Sequence, residues 1–275
     1  CCITGRDGMK ASAGRLFMSL VLVVSLLLGS IAMFQNSLIY FPENPPLASV
    51  LSDARRHDLK AWPGEGDYRG LLREPTGPTR GTVVMFHGNA GHAGHRDWYA
   101  DELSRLGLRV ILAEYPAYGS RSGKLGEAAL VSDAAETLAL ARRTFSGPLL
   151  LAGESLGAGV AAAVAKSTDI TAVLLITPWD KIESIAQHHY PWLPVGSLLR
   201  DRYDSVENLA GYHGRVAVII AGQDSIVPAK FGQRLFERLS GPKRLWIVPD
   251  ADHNDWMSRV DGVWWQAVID FLIDG

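Results

Sequence analysis

The chain has 275 residues, 47% hydrophobic and 20% charged, which suits one large α/β domain or two small ones and excludes a disordered or collagen-like protein. Lys and Arg total 27 against 29 Asp and Glu, a formal net charge of −2, so the basic excess of a phosphate-contacting nucleic-acid binder is missing and no nucleic-acid partner is expected. The two cysteines, Cys1 and Cys2, stand together at the amino terminus, which excludes a disulfide framework or zinc finger in the body.

Arg6, Lys10 and Arg15 precede a run without charge, Leu16 to Phe34 (LFMSLVLVVSLLLGSIAMF), and the next charged residue is Glu43. As a helix this run would be about 29 Å long, the thickness of a bilayer's hydrocarbon core. Tyr40 and Phe41 follow at an interfacial position. The basic flank predicts a cytoplasmic amino terminus, with everything after Asn36 on the extracytoplasmic side. Residues 16–36 are therefore expected to be a retained transmembrane anchor behind a short tail, 1–15. Within that tail, residues 1–8 read as an upstream extension before a natural start at Met9. A cleaved signal peptide is the alternative, because Ser30-Ile31-Ala32 loosely fits a small-x-small site. The apolar run, however, exceeds the roughly 7–15 residues of a signal core.

From Tyr40 to about Glu74 the chain is rich in Pro and Gly. Three short extended pieces there, Leu38–Phe41, His57–Trp62 and Tyr68–Arg73, are expected as antiparallel edge strands. A regular alternation follows. Short apolar runs at Thr82–Phe86, Arg109–Ala113, Leu149–Ala152, Val173–Ile176, Val216–Ala221 and Leu245–Val248 predict strands. Helical spacing predicts helices at Arg96–Leu106, Glu127–Phe145, Leu156–Lys166, Lys230–Leu239 and Val260–Ile273. Continuous apolar strands alternating with helices imply an α/β fold, a mostly parallel sheet covered on both faces. Residues 37–275 form one such domain. The segment at about 183–208 interrupts the alternation, and its Tyr190, Trp192, Leu193 and Leu198 are expected to form a small lid, an apolar acyl groove, or satellite core under a loop.

Functional groups in parallel sheets gather at the carboxyl ends of the strands. After Leu149–Ala152 comes Gly153-Glu154-Ser155-Leu156-Gly157, a GxSxG between strand and helix, where the glycines permit a sharp bend that exposes the Ser155 hydroxyl. A serine needs a base to take its proton. Of eight histidines, His253 lies on the loop after the last strand, within reach of Ser155 across the strand ends. The imidazole in turn needs a carboxylate to fix its tautomer. Asp224, after Val216–Ala221, fits the order Ser, Asp, His. Asp204 is a weaker substitute, and Asp250, Asp252 and Asp255 read as solvated loop carboxylates. Two backbone amides, of Leu156 and of Asn89 in the turn HGNAG, are expected to face the developing oxyanion. His87 is expected to buttress that turn.

FHGNAG, EYPAYGSRSGK, AGESLGAGVA, AGQDSIVP and DADHND resemble, in this order, the motifs of the Bem46-like (ABHD12/13/17-type) α/β-hydrolases. The resemblance covers most of the body from about Gly81. It implies the α/β-hydrolase fold and a serine hydrolase acting on esters or thioesters, often behind a single amino-terminal membrane segment. Some relatives are depalmitoylating thioesterases and others act on lysophospholipids. One departure is Pro-Ala-Tyr before Gly119, where many relatives have Arg-Gly-Tyr. The expected partners are a small-molecule or lipid-like acyl substrate and the membrane, and the chemistry needs no cofactor and no metal. A peptidase or amidase on the same triad and a catalytically silent scaffold are the alternatives.

Overall fold

Strands that are apolar on both faces have no side to offer to water, so they occupy the middle of a sheet. That is where the short apolar runs lie in the computed structural model, which describes residues 4–166 and 169–274, with side chains from residue 14 onward. Cys1 and Cys2 lie outside the described residues.

The amino-terminal part comprises α1 (Thr4–Ile39), β1 (Phe41–Pro42), α2 (Leu47–Arg55), β2 (Lys60–Trp62) and β3 (Gly70–Arg73). Then come β4 (Gly81–Phe86), the two-residue β5 (Ala90–Gly91), α3 (Asp97–Arg105), β6 (Leu108–Ala113) and α4 (Glu127–Thr144). They are followed by β7 (Leu149–Glu154), α5 (Leu156–Val164) and β8 (Ala172–Ile176). Three short helices, α6 (Ile182–His189), α7 (Val195–Leu198) and α8 (Ser205–Leu209), precede β9 (Arg215–Ala221). The chain ends with α9 (Ala229–Arg238), β10 (Lys243–Val248) and α10 (Gly262–Ile273).

Among the described residues, eight strands form the main sheet in the order β10-β9-β8-β7-β4-β6-β3-β2. It is parallel from β10 to β6, and β3 runs antiparallel to both its neighbours. Side chains alternate between two cores because successive residues of a strand point to opposite faces. Val84, Phe86 and Leu151 pack with Leu130 and Leu138 of α4, Val160 of α5 and Leu235 of α9. Val83, Met85 and Leu150 pack with Leu103 of α3 and with Trp265 and Ile269 of α10. The winding reverses between β4 and β7, and the ends of these two strands are the switch point where an open sheet leaves a crevice.

Two expectations need correction. Leu38–Phe41 is not an antiparallel edge strand. The first helix continues to Ile39, and Phe41–Pro42 pairs in parallel with Ala90–Gly91. The helix persists past its apolar run because the body satisfies the polar side chains there. Gln35 is buried, donates to Leu198 O and accepts from Arg200 N, while Asn36 donates to Leu125 O. The second correction is α2, which sits in the stretch read as extended. Its Val50, Leu51 and Ala54 are buried on one face, and Pro46 stands at the helix entrance, a position proline tolerates.

Ala117 adopts φ 65°, the left-handed region that disfavours any Cβ. The left-handed penalty is roughly 1–2 kcal/mol, partly offset by glycine's larger entropy loss on folding. Ala117→Gly is therefore expected to stabilise the fold by about 1 kcal/mol, raising the thermal midpoint by about 2–4 °C in detergent micelles.

Candidate active site

Ser155 follows β7 directly and opens α5, with φ 53° and ψ −114°. Such a bend requires backbone to approach backbone more closely than side chains allow. A Cβ on Gly153 would strike the carbonyl oxygen of Gly157, and one on Gly157 would strike those of Phe86 and His87. Glycine at both places lets the first turn of α5 rest on the end of β4. Ser155 is left only 8% exposed, with its side chain at the switch point.

The structure brings three of the expected residues into one hydrogen-bonded chain. Ser155 Oγ lies 3.1 Å from His253 Nε2, and His253 Nδ1 lies 2.7 Å from Asp224 Oδ2. Asp224 Oδ1 accepts from the amides of Ile226 at 2.9 Å and Val227 at 2.6 Å, so the buried carboxylate has donors on both oxygens. With Oδ2 adjacent to Nδ1, the imidazole tautomer that carries its proton on Nδ1 leaves Nε2 free to accept from the serine hydroxyl.

Leu156 is the first residue of α5, and an amide in a first helical turn has no intrahelical acceptor. Asn89 lies in the turn beyond β4, against which that helical turn packs. Its side chain bonds to residues other than Ser155. Asn89 Oδ1 accepts from Phe41 N and from the Tyr118 hydroxyl, and Nδ2 donates to Ile39 O. His87 is buried behind the turn, with Nε2 3.1 Å from Glu114 Oε1 and Nδ1 2.7 Å from Gly88 O. Asp204 is elsewhere, capping α8 through Glu207 N and pairing with Lys181.

Asp252 does more than face solvent as a loop carboxylate. It accepts from Ser225 N and Oγ and from His253 N, which ties the turn carrying Asp224 to the loop carrying His253. The Ser225 amide, followed by the His253 amide, holds its carboxyl below the usual carboxylate range. No sequence signal marked this role beyond adjacency to His253. Trp256 was also missed. It is fully buried against Trp265, Trp264 and Tyr99 and pins the far side of the His253 loop. Glu154, beside the bend at Ser155, is buried and accepts from Arg96 Nε at 2.6 Å.

The segment at 183–208 folds as α6, α7 and part of α8. Tyr190 and Trp192 are 53% and 75% exposed, so neither is satellite core. His189 Nε2 lies 2.9 Å from Ile226 O, joining this segment to the Asp224 turn. A cavity of about 610 Å³ between α6 and α9 is lined by Lys181, His188, Lys230 and Arg234, and it includes none of the hydrogen-bonded chain. Geometry, not cavity size, locates the site.

Residues 77–196 match the hydrolase family described as "Serine aminopeptidase, S33". The chain is 36% identical over 245 residues to the uncharacterized protein Rv2307c of Mycobacterium tuberculosis, covering 86% of this chain and 87% of that one. It is 27% identical over 281 residues to Protein bem46 of Schizosaccharomyces pombe, covering 94% and 92%. The chain belongs to the Bem46-like α/β-hydrolase family. This Bem46-like hydrolase is also 28% identical over 184 residues to lysophosphatidylserine lipase ABHD12 of Danio rerio, covering 59% of this chain and 48% of that one. Its fold is similar to that of Est1E from Butyrivibrio proteoclasticus, with a TM-score of 0.60 at 15% identity over 75% of this chain and 94% of the other.

The bend at Ser155 stores strain in the Bem46-like fold. Ser155→Gly relieves it, whereas Ser155→Ala removes the same hydroxyl and keeps the Cβ. The glycine variant is expected to be more stable than the alanine variant by about 1 kcal/mol, read as the difference between their thermal midpoints.

Proposed function

We propose that this protein is a membrane-anchored serine hydrolase that cleaves carboxylic ester or thioester bonds of acyl, lipid-like substrates through an acyl-enzyme. The observation that carries the reading is the hydrogen-bonded chain from Ser155 through His253 to Asp224 at the strained bend. Ser155 Oγ attacks the acyl carbon as His253 Nε2 takes its proton. Asp224 holds the ring and stabilises the imidazolium. The amides of Asn89 and Leu156 receive the charge that develops on the carbonyl oxygen. The tetrahedral intermediate collapses, and the leaving alkoxide or thiolate takes the proton from Nε2. Water then gives a proton to Nε2 and attacks the acyl carbon, and Ser155 Oγ departs and recovers the proton.

Labelling by a fluorophosphonate probe tests the nucleophile. Wild-type protein is expected to label and Ser155→Ala is not, and label retained by the alanine variant would remove Ser155 from the mechanism. Asp224→Asn keeps the shape of the site and loses the correct tautomer, so kcat is expected to fall by about 10⁴-fold.

The name of the ABHD12 relative, a lysophosphatidylserine lipase, favours an acyl-lipid substrate. So does the exposed apolar rim. Phe41, Tyr190, Trp192 and Ile226 are all at least 45% exposed. Phe41 is bonded to Asn89, Ile226 lies two residues from Asp224, and the Tyr190–Trp192 turn follows His189, which is bonded to Ile226. Exposed apolar groups on segments bonded to the neighbourhood of the candidate site favour an apolar occupant. Tyr190→Ser with Trp192→Ser is expected to lower kcat/KM about tenfold more for a long-chain acyl substrate in vesicles than for a short soluble ester. An equal effect on both would remove the rim from substrate selection.

A helix over Gly14–Ile39 is long and apolar enough to cross a membrane, by length and composition. Retention of this helix, as opposed to signal cleavage, is favoured by its course through Ser30–Ala32 without a break and by Arg200 Nη2, which donates to Ala32 O at 2.6 Å. The basic residues before it favour a body on the extracytoplasmic side. The description "Serine aminopeptidase" of the matching family supports a second reading, hydrolysis of aminoacyl amides on the same residues. Turnover of aminoacyl anilides faster than of acyl esters would select it.

A further inference from the structure

We propose that the residues joining the apolar helix to the hydrolase body, Ile39–Asn44, are a strap that positions the oxyanion turn, with the side chain of Asn89 as its latch. This rests on the reading above that the Asn89 amide receives the oxyanion. The turn His87–Gly91 is short, contains two glycines and follows a strand end, and its own backbone does little to hold an N–H at a fixed point. A donor must nevertheless stay within a few tenths of an ångström of its place to stabilise a transition state. The turn is held from outside.

The Asn89 carboxamide makes three of the four hydrogen bonds open to it. Nδ2 donates to Ile39 O, and Oδ1 accepts from Phe41 N at 3.3 Å and from the buried Tyr118 hydroxyl at 3.1 Å. The strap then runs alongside the turn. Phe41 pairs with Ala90 and Pro42 with Gly91 in parallel register, and Glu43 N donates to Gly91 O at 3.1 Å. On its other edge Glu43 O accepts from Gly119 N at 2.9 Å, and Asn44 Nδ2 donates to Ala117 O at 2.9 Å and to Gly119 O at 3.2 Å. Tyr40, also buried, donates to Asp201 Oδ2 at 2.6 Å and meets the Tyr203 hydroxyl at 3.1 Å. A passive tether needs none of these bonds. A two-residue ladder is too short to hold itself, so the carboxamide closes the structure.

Asn89→Ala keeps the backbone amide and removes only the latch, and Tyr118→Phe removes one pin while keeping its ring in the core. Both are made in the full-length chain in detergent micelles. They are assayed for kcat and KM on a soluble acyl ester and for inhibition by a trifluoromethyl ketone, whose adduct with serine carries an oxyanion. Asn89→Ala is expected to lower kcat by about tenfold or more with KM within about twofold, because a misplaced donor affects the transition state more than the ground state. The ketone should weaken by the same factor. Tyr118→Phe should show a smaller change of the same kind, and the double variant should lose less than the product of the single effects. Unchanged kcat and inhibition in Asn89→Ala, with Ser155→Ala inactive, would overturn the strap and leave the hydrolase reading standing. A fall in kcat without weaker inhibition would also overturn it. Turnover that persists in Ser155→Ala would overturn the hydrolase reading itself.

Discussion

Close approach of the backbone at Gly153 and Gly157 is the constraint on which the rest of the structure depends. Without side chains there, the first turn of α5 seats on the end of β4, and Ser155 is forced into a left-handed bend at the place where the sheet reverses its winding. A strained residue persists only when its surroundings over-determine it. Here they do. Every residue of β7 is buried, and so are all but one of α5, so the bend cannot relax without opening the middle of the sheet.

Around that bend the protein buries several carboxylates, which is costly unless each finds donors. Asp224 has two amides and an imidazole, Glu154 has Arg96, and Glu114 has His87 and the Ala93 amide. The partners come from different strand ends and loops, so satisfying each carboxylate also cross-links the segments that carry the proposed catalytic groups. Asp252 repeats the pattern at the surface by clasping Ser225 and His253 together. Solvation and positioning are thus met by the same bonds.

The apolar helix is integral to this arrangement. Gln35 and Arg200 bond it to the segment between α7 and α8, Asn36 bonds it to the loop before α4, and Asn89 accepts the chain as it leaves. The end of α1 is therefore bonded to the body at several points and is not a free tether.

The alternation of strands and helices from β4 onward, the parallel sheet, and the serine, histidine and aspartate that the fold joins by hydrogen bonds (Ser155, His253 and Asp224) could be picked out in the chain because each rests on a local pattern. These patterns are apolar runs, helical spacing, and a glycine-flanked serine followed by an acid and a base at strand ends. The continuation of α1 to Ile39, the helix α2, the parallel pairing of Phe41–Pro42, the bracing by Asp252 and Trp256, and the partners of the Asn89 carboxamide were not legible. Each depends on a partner far away in the chain. Gln35 stays helical because Leu198 and Arg200 satisfy it, and the Asn89 carboxamide is held because Ile39, Phe41 and Tyr118 bond to it. Covalent order and side-chain type were enough to name the proposed reacting groups. Their placement came only from folding, because hydrogen bonds between distant residues form when packing removes water and each buried polar atom must then find a partner.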